Sequence, residues 1–484
     1  MKLSLKSTRL GLRNSATRIP FRYGKACLTV CPQAVVQATV EVAGKRHQGY
    51  CGDCLPPSWF DKSAGKDYAT QIQEMLSAIA IAEEVFAEEF ASPEEFFRAW
   101  LVSYRRTHDR CAGLGFTPLL ASFGVSMIER ALIDSLCRAA QVSFATALRD
   151  NLLGIDAGEI HQDLAGLEPM NWLPARPALS IYVRHTVGLS DPLTAADIRA
   201  DERLGDGLPQ ALEEYVEQCG LRYFKIKVCN QLDHDLDRLR RIATIVERSR
   251  GHDYQVTLDG NEQYSAAADF ESLVESLRQD PTLATLWENT LVIEQPLERS
   301  VALDAQHTTG IRQLATSKPV IIDESDGTLG SFAEAVTLGY RGVSSKNCKG
   351  TIKSVLNAGL IWQLNDNGRR ANYLMTGEDL ATVGVVALQA DLCLVAALGL
   401  EHVERNGHHY YRGLSHLTEP DRLAAIRAHP DLYHQQGDVV APQLVDGRFQ
   451  IASLQCTGFG FDVEPRMESM QGPEEWKFAS LGLS

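Results

Sequence analysis

Nothing in this chain approaches the unbroken apolar run of roughly 18 residues that a membrane-spanning helix needs, so no membrane partner is expected. Positive charge is also in short supply. Lys and Arg number 47 against 62 Asp and Glu, a formal net charge of −15. Gripping a phosphate backbone takes a basic face, so nucleic acid is not an expected partner either. No internal repeat or low-complexity tract interrupts the 484 residues. The cysteines lack the look of a disulfide framework: eleven, an odd number, lie scattered along the chain. They read as free thiols in a reducing compartment, and a cytoplasmic location is expected. One spacing, Cys27-x3-Cys31 with Cys51-x2-Cys54, has the look of a four-thiolate zinc site. The second pair lies in a turn-like segment, YCGDCLPP, but the first lies inside a strand-like run, and small buried thiols are expected instead.

What is present is ordinary globular composition, 44% hydrophobic and 23% charged, in a chain of 53.3 kDa that is long enough for more than one domain. Residues 1–175 mix strand-like runs with helices, the longest covering FGVSMIERALIDSLCRAA. The first 40 residues carry seven basic side chains (Lys2, Lys6, Arg9, Arg13, Arg18, Arg22, Lys25) and no acid. That bias suits a transit peptide, but Leu3, Leu5 and LTVCPQAVVQATVEV read as strands, and a folded sheet is expected. Its positive charge would also help draw an anionic substrate. Across residues 176–410 short apolar runs alternate with amphipathic stretches: ALSIYVRH, RYFKIKV, YQVTLD, LVIEQ, PVIIDE, GVSSK, NYLMT and EHVE. Eight such runs with helices between them predict a single parallel βα barrel. The intervening helices include DHDLDRLRRIATIVERS and DLATVGVVALQADLCLVAALGL. Residues 411–484 are too few for another core and are expected to pack back on the N-terminal unit.

In RYFKIKV the side chains alternate faces, so Lys225 and Lys227 share one and Ile226 takes the other. Inside a barrel the crowding should lower the pKa of at least one of them. Later runs end in acids: Asp259 in VTLDGN, Glu294 in LVIEQP and Asp323 in VIIDES, and Lys346 closes RGVSSK. Singly, each acid could be a helix cap. Together, the intervals of 32, 35, 29 and 23 residues from Lys227 onward each fit one βα unit, which puts every group at the same end of consecutive strands. Carboxylate oxygens suit magnesium, and amines beside them suit removal of a proton next to a carboxylate.

This six-residue set, with Asp259-Gly260-Asn261 and Glu294-Gln295-Pro296, resembles the enolase superfamily, specifically its muconate-lactonising branch (mandelate racemase/muconate lactonizing enzyme-like). The helix carrying Glu129-Arg130-Ala131-Leu132-Ile133-Asp134 is similar to the family's capping-domain helix. The resemblance spans nearly the whole chain. It implies an α/β fold: a modified TIM-type (β/α)7β barrel with an N-terminal α+β capping domain completed by the C-terminal segment. It also implies a homo-oligomer acting on a small carboxylate-bearing substrate, with Mg2+ held by Asp259, Glu294 and Asp323. Lys227 and Lys346 would face each other across the substrate carbon, and Lys225 would add positive charge near its carboxylate. The expected chemistry is α-proton abstraction through an enediolate, as a racemase or epimerase; a syn-dehydratase or cycloisomerase is the alternative on the same site. A Schiff-base aldolase or a catalytically dead barrel are the readings outside the family.

Departures from the family pattern leave choices open. Lys349 is near Lys346, and Glu324 adjoins Asp323. The dipeptide epimerases' D-x-D is replaced by Glu401-His402-Val403-Glu404. The mandelate racemase His–Asp dyad is absent. Specificity is expected in the loops RIPFRYG and YCGDCLPPSWF, where Arg22 would pair with a distal anion. Asn261 and Glu404 are further candidate substrate contacts, and His408 and His409 could line the rim.

Overall fold

A computed structural model describes residues 1–23, 26–366 and 372–483. The basic N-terminal stretch is folded sheet. Strands β1 (Lys2–Tyr23), β2 (Ala26–Val42) and β3 (Lys45–Cys54) run antiparallel, with the short β4 (Glu94–Glu95) beyond β1, in the order β3-β2-β1-β4. In β2, Ala34, Val36, Ala38 and Val40 are buried while Val35, Gln37 and Thr39 are partly exposed, the period of two that a one-sided sheet imposes. Ala43 and Gly44 join β2 to β3 with φ of 49° and 76°, the pair of positive values a two-residue hairpin of matching twist requires.

Helices α1 (Tyr68–Glu89), α2 (Phe96–Gly113) and α3 (Pro118–Ala140) pack together, and α3 lies against β3 and β2. The approach is close: a Cβ on Gly49 would sit 2.3 Å from the Ser135 nitrogen, so only glycine fits. Every residue of α3 from Leu119 to Cys137 is buried, three of them charged in sequence. Arg130 pairs with Asp53 (2.8 Å) and donates to the Gly52 carbonyl (3.1 Å). Glu129 accepts from the Trp100 indole (2.6 Å) and from the backbone N–H of Thr351. Asp134 accepts from the N–H groups of Tyr50 (2.9 Å) and Phe459 (2.7 Å). One helix thereby binds the N-terminal sheet, the barrel and the C-terminal segment.

The eight expected runs form eight parallel strands: β5 (Ser180–Val187), β6 (Tyr223–Lys227), β7 (Gln255–Asp259), β8 (Thr290–Glu294), β9 (Val320–Ile322), β10 (Gly342–Ser345), β11 (Leu374–Gly377) and β12 (His402–Arg405). Pairing of β12 with β5 closes the barrel. After β12 the chain leaves the barrel through a short helix, Gly407–Tyr410, and a ten-residue helix, Glu419–Ala428.

The C-terminal segment contains a hairpin, β13 (Tyr433–Gln436) and β14 (Val439–Pro442), then β15 (Arg448–Gln450). It meets the N-terminal unit as expected, through the Leu12–Gln471 bridge and the Trp476 indole on Asn14 (2.9 Å). Unexpectedly, β15 also pairs antiparallel with barrel strand β5. A second difference follows β11. The expected helix from Asp379 begins only at Val386. Residues 379–385 are held as a loop by the buried Asp379–Arg405 pair and by Thr382 donating to Asp391 (2.6 Å).

Replacing Asp134 with Ala strands two buried N–H donors and should lower unfolding free energy by about 3 kcal/mol, from 1–3 per unsatisfied group. Asp134→Asn, which keeps an acceptor, should lose less. The shift in urea midpoint of the two variants checks this.

Candidate active site

In a parallel barrel the C-terminal strand ends share one mouth. Register sets Lys227 of β6 beside Asp259 of β7, and Asp259 beside Glu294 of β8. Asp323 and Lys346 follow β9 and β10 by one residue. A cleft between this mouth and the N-terminal unit is lined by Lys225, Lys227, Asp259, Asn261, Asp323, Glu324, Lys346 and Glu404. Glu294 lies beneath them, 1% exposed.

Lys225 sits among acids: its Nζ is 2.5 Å from Glu294, 2.9 Å from Glu404, 3.1 Å from Glu378 and 3.3 Å from Asp259. Burial alone would strip its proton, but Asp259, Glu294, Glu378 and Glu404 outweigh burial and hold its pKa well above the usual lysine value. The sequence expectation of a lowered pKa is not met at Lys225. Lys346 lies 2.7 Å from Glu378 and 2.8 Å from Asp323, and its pKa is likewise raised against the effect of burial. The Trp59 ring lies 5.4 Å from its ammonium. Lys227 is less encumbered, with Asn261 Oδ1 at 3.3 Å and Asp259 at 3.9 Å. Burial and the neighbouring Glu378 push Glu294 well above the carboxylate range. Burial is overcome at Asp323 by Lys346 and Lys349, which lower its pKa.

Glu378 was missed from sequence. It follows β11 by one residue, the position that Asp323 and Lys346 take after their own strands. The structure pairs it with Lys225, Lys346 and Arg184 of β5 (2.6 Å). Oxygens of Glu294, Asp323 and Glu378 lie within 4.8 Å of one another. Glu294 Oε2 is buried with no hydrogen-bond partner. Such clustered carboxylate oxygens fit a hard divalent cation such as magnesium. Asp259, expected in this set, is turned toward its own loop: Oδ1 accepts the Asn261 N–H (2.7 Å) and Oδ2 faces Lys225.

Other expectations resolve by strand parity and burial. Arg22 is exposed and lines a separate surface cavity, while its neighbours Phe21 and Tyr23 take the cleft face. The expected loop RIPFRYG is strand through Tyr23, and Gly24 and Lys25 lie outside the described residues. Lys349 is buried away from the cleft, donating to the Ser344 carbonyl (2.7 Å) and Asp323 (3.1 Å). His409 is buried, and His408 Nε2 meets His185 Nδ1 at 3.0 Å, so the tandem histidines pack beside Tyr215 instead of lining the rim. Cys54 donates to the Leu380 carbonyl (2.6 Å), Cys51 faces Met127 (3.6 Å) and Cys27 is exposed, so those thiols do not converge. Asn406, also unforeseen, lines the cleft beside Glu404. Its Nδ2 donates to Asp379 (3.0 Å) and Glu404 (3.3 Å), which leaves Oδ1 buried without a donor.

The N-terminal unit reaches the mouth through Trp59 on the loop after β3. Arg299, beyond β8, donates to the Trp59 carbonyl (2.7 Å) and forks onto Glu262 (2.6 and 2.9 Å), which also binds Lys62. Burial lowers the Lys62 pKa to about 8. Arg299→Ala should free this loop: amide hydrogen exchange over residues 56–62 should quicken at least tenfold, with the barrel amides unchanged.

No protein-family model and no curated protein sequence matches the chain. Solved structures do match its fold. A mandelate racemase/muconate lactonizing protein from Herpetosiphon aurantiacus aligns with a TM-score of 0.61 at 15% identity, covering 96% of this chain and 99% of that one. Muconate lactonizing enzyme from Pseudomonas fluorescens, complexed with muconolactone, gives 0.59 at 15%, covering 96% and 98%. A dipeptide epimerase from Enterococcus faecalis V583, complexed with Mg and the dipeptide L-Leu-L-Tyr, gives 0.55 at 16%, covering 84% and 90%. The chain shares the barrel-and-cap fold of these structures, the architecture its residues led us to expect.

Proposed function

We propose that this protein is an enolase-type enzyme that removes the proton α to the carboxylate of a small substrate, acting as a racemase or epimerase. One observation carries the reading. Lys227 and Lys346 follow from β6 and β10, four strands apart in a ring of eight, and both face one cleft above a carboxylate cluster. Groups on opposite sides of a barrel reach opposite faces of a substrate bound on its axis. One amine takes the α-proton onto its Nζ, and the other returns a proton to the opposite face, inverting the carbon. With one base alone the same site would perform syn-dehydration or cycloisomerisation. The fold of a dipeptide epimerase and of a muconate lactonizing enzyme supports the class of reaction and leaves its direction open.

Magnesium, when bound, supplies positive charge that steadies the enediolate oxygens. Glu294 and Asp323 are proposed to hold it, with Asp259 or Glu378 completing the set. Lys225 holds these acids together and lends charge to the substrate carboxylate. Asn261 and Glu404 line the cleft where the substrate would lie. We further propose a division near residues 175 and 410, a homo-oligomeric assembly and a cytoplasmic setting.

The bases are tested by deuterium incorporation at the α-carbon, followed by NMR for each enantiomer of a turned-over acid. Lys227→Ala should abolish exchange from one configuration and Lys346→Ala from the other, each by 10³-fold or more; general acid–base groups typically contribute about 10²–10⁴-fold. Loss in Lys227→Ala alone would indicate one-base elimination or cycloisomerisation. Normal exchange in both would refute the lysine pair. Trapping by borohydride with a carbonyl substrate would instead establish a Schiff base.

The metal set is tested by calorimetric titration of Mg2+ into Asp259→Asn and Glu378→Gln. Removing a ligand should weaken binding at least tenfold. A loss confined to Glu378→Gln would exclude Asp259 from the set, and unchanged binding in a Glu294→Gln, Asp323→Asn double variant would end the magnesium assignment.

A further inference from the structure

The two sides of the cleft are chemically unlike. Its floor is barrel: ammonium, carboxylate and amide groups. Among the described residues, its other wall is Phe21, Tyr23, Pro56 and Trp59 from the N-terminal unit, continued by Leu380 and Ala381 from the loop after β11. That wall is braced. Phe21 stacks on Tyr410 with ring centres 4.1 Å apart and meets Tyr23 at 5.0 Å. Trp59 meets Phe60 edge-on at 4.8 Å, and Phe60 meets the buried Phe123 of α3 at 4.4 Å. The Tyr23 hydroxyl is already donated to the Pro57 carbonyl (2.7 Å). Nearby cations are engaged elsewhere: Lys62 and Arg299 hold Glu262, and Arg22 faces another cavity. The cleft encloses about 460 Å³ of empty space, its open mouth included.

We infer that the substrate is a compact carboxylic acid whose far end is an apolar, ring-sized group, and not a polyhydroxylated acid or a dicarboxylate. This rests on the proton-abstraction reading of the same cleft. The carboxylate end meets the charged floor, and the flat apolar end lies against Trp59 and Phe21, where aromatic faces reward it. A chain of hydroxyls there would lose its water without finding partners, at about tenfold in affinity for each. A second carboxylate at that end would meet no free cation among the described residues.

Four 2-hydroxy acids that share a reacting end provide the test: phenyllactate (ring), gluconate (polyol), malate (second carboxylate) and lactate (neither). With Mg2+ present, α-deuterium exchange should be at least 100-fold more efficient in kcat/KM for phenyllactate than for gluconate or malate. Faster exchange of gluconate or malate would overturn the inference while leaving proton abstraction standing. If no acid exchanges, calorimetry separates the two claims: selective binding of phenyllactate keeps the inference and sinks the reaction, and absence of such binding sinks the inference as well. Trp59→Ser and, independently, Leu380→Asn should each weaken phenyllactate binding at least tenfold more than lactate binding. Equal losses for both acids would mean that these side chains only support the fold, and would overturn the inference.

Discussion

The constraint on which the site depends is charge balance in a place with little water. Five carboxylates (Asp259, Glu294, Asp323, Glu378 and Glu404) are gathered in a barrel mouth where each is almost fully buried. An uncompensated charge there would neutralise itself or unfold its surroundings. Arg184, Lys225, Lys227, Lys346 and Lys349 supply the compensation, and most contacts are shared: Glu378 faces three cations, and Lys225 faces four acids. The lysines therefore have two duties, since the ammonium groups that face these acids are also the ones proposed to flank the substrate.

This balance also explains why one lysine differs. Lys225 and Lys346 lie in short contact with two or more carboxylates, whereas Lys227 has its nearest carboxylate oxygen at 3.9 Å and an amide oxygen closer. Three amines of one residue type are thus given different surroundings by their depth in the barrel. Lys225 points inward one turn of the pleat below Lys227, among more acids. Lys346 starts from the opposite side and lies under Trp59.

The barrel and its polar floor were legible in sequence because strand geometry is periodic. The K-x-K parity, the spacing of one βα unit and the acid-tipped apolar runs fix which strand end each group occupies, and the structure brings Lys225, Lys227, Asp259, Asp323 and Lys346 to one cleft. Where the backbone leaves that period, legibility falls. The stretch after β11 has helical apolar spacing, but Asp379 and Thr382 find buried partners that hold residues 379–385 as a loop. Charge alone points to Arg22, but strand alternation hands the cleft to Phe21 and Tyr23. Side-chain rotation within the acid cluster has no sequence signature at all, which is why Glu378 stands with Glu294 and Asp323 where Asp259 was expected.

The two halves of the cleft come from parts of the chain far apart in sequence, yet they are mechanically joined. Strands β7 and β8 end in Asp259 and Glu294, and the loops that follow carry Glu262 and Arg299 a few residues later. Arg299, held by Glu262, donates to the Trp59 carbonyl. Behind Trp59, Phe60 leans on Phe123 of α3, and α3 is itself tied to the barrel at Thr351 through Glu129. The wall is thus clamped from the barrel side and from the helix side at once. A substitution in either barrel loop would displace the aromatic wall of the cleft, and a change in α3 would do so from behind. In this architecture the charged floor and the aromatic wall of the cleft cannot drift independently, because the loops that follow the floor's acids also hold the wall.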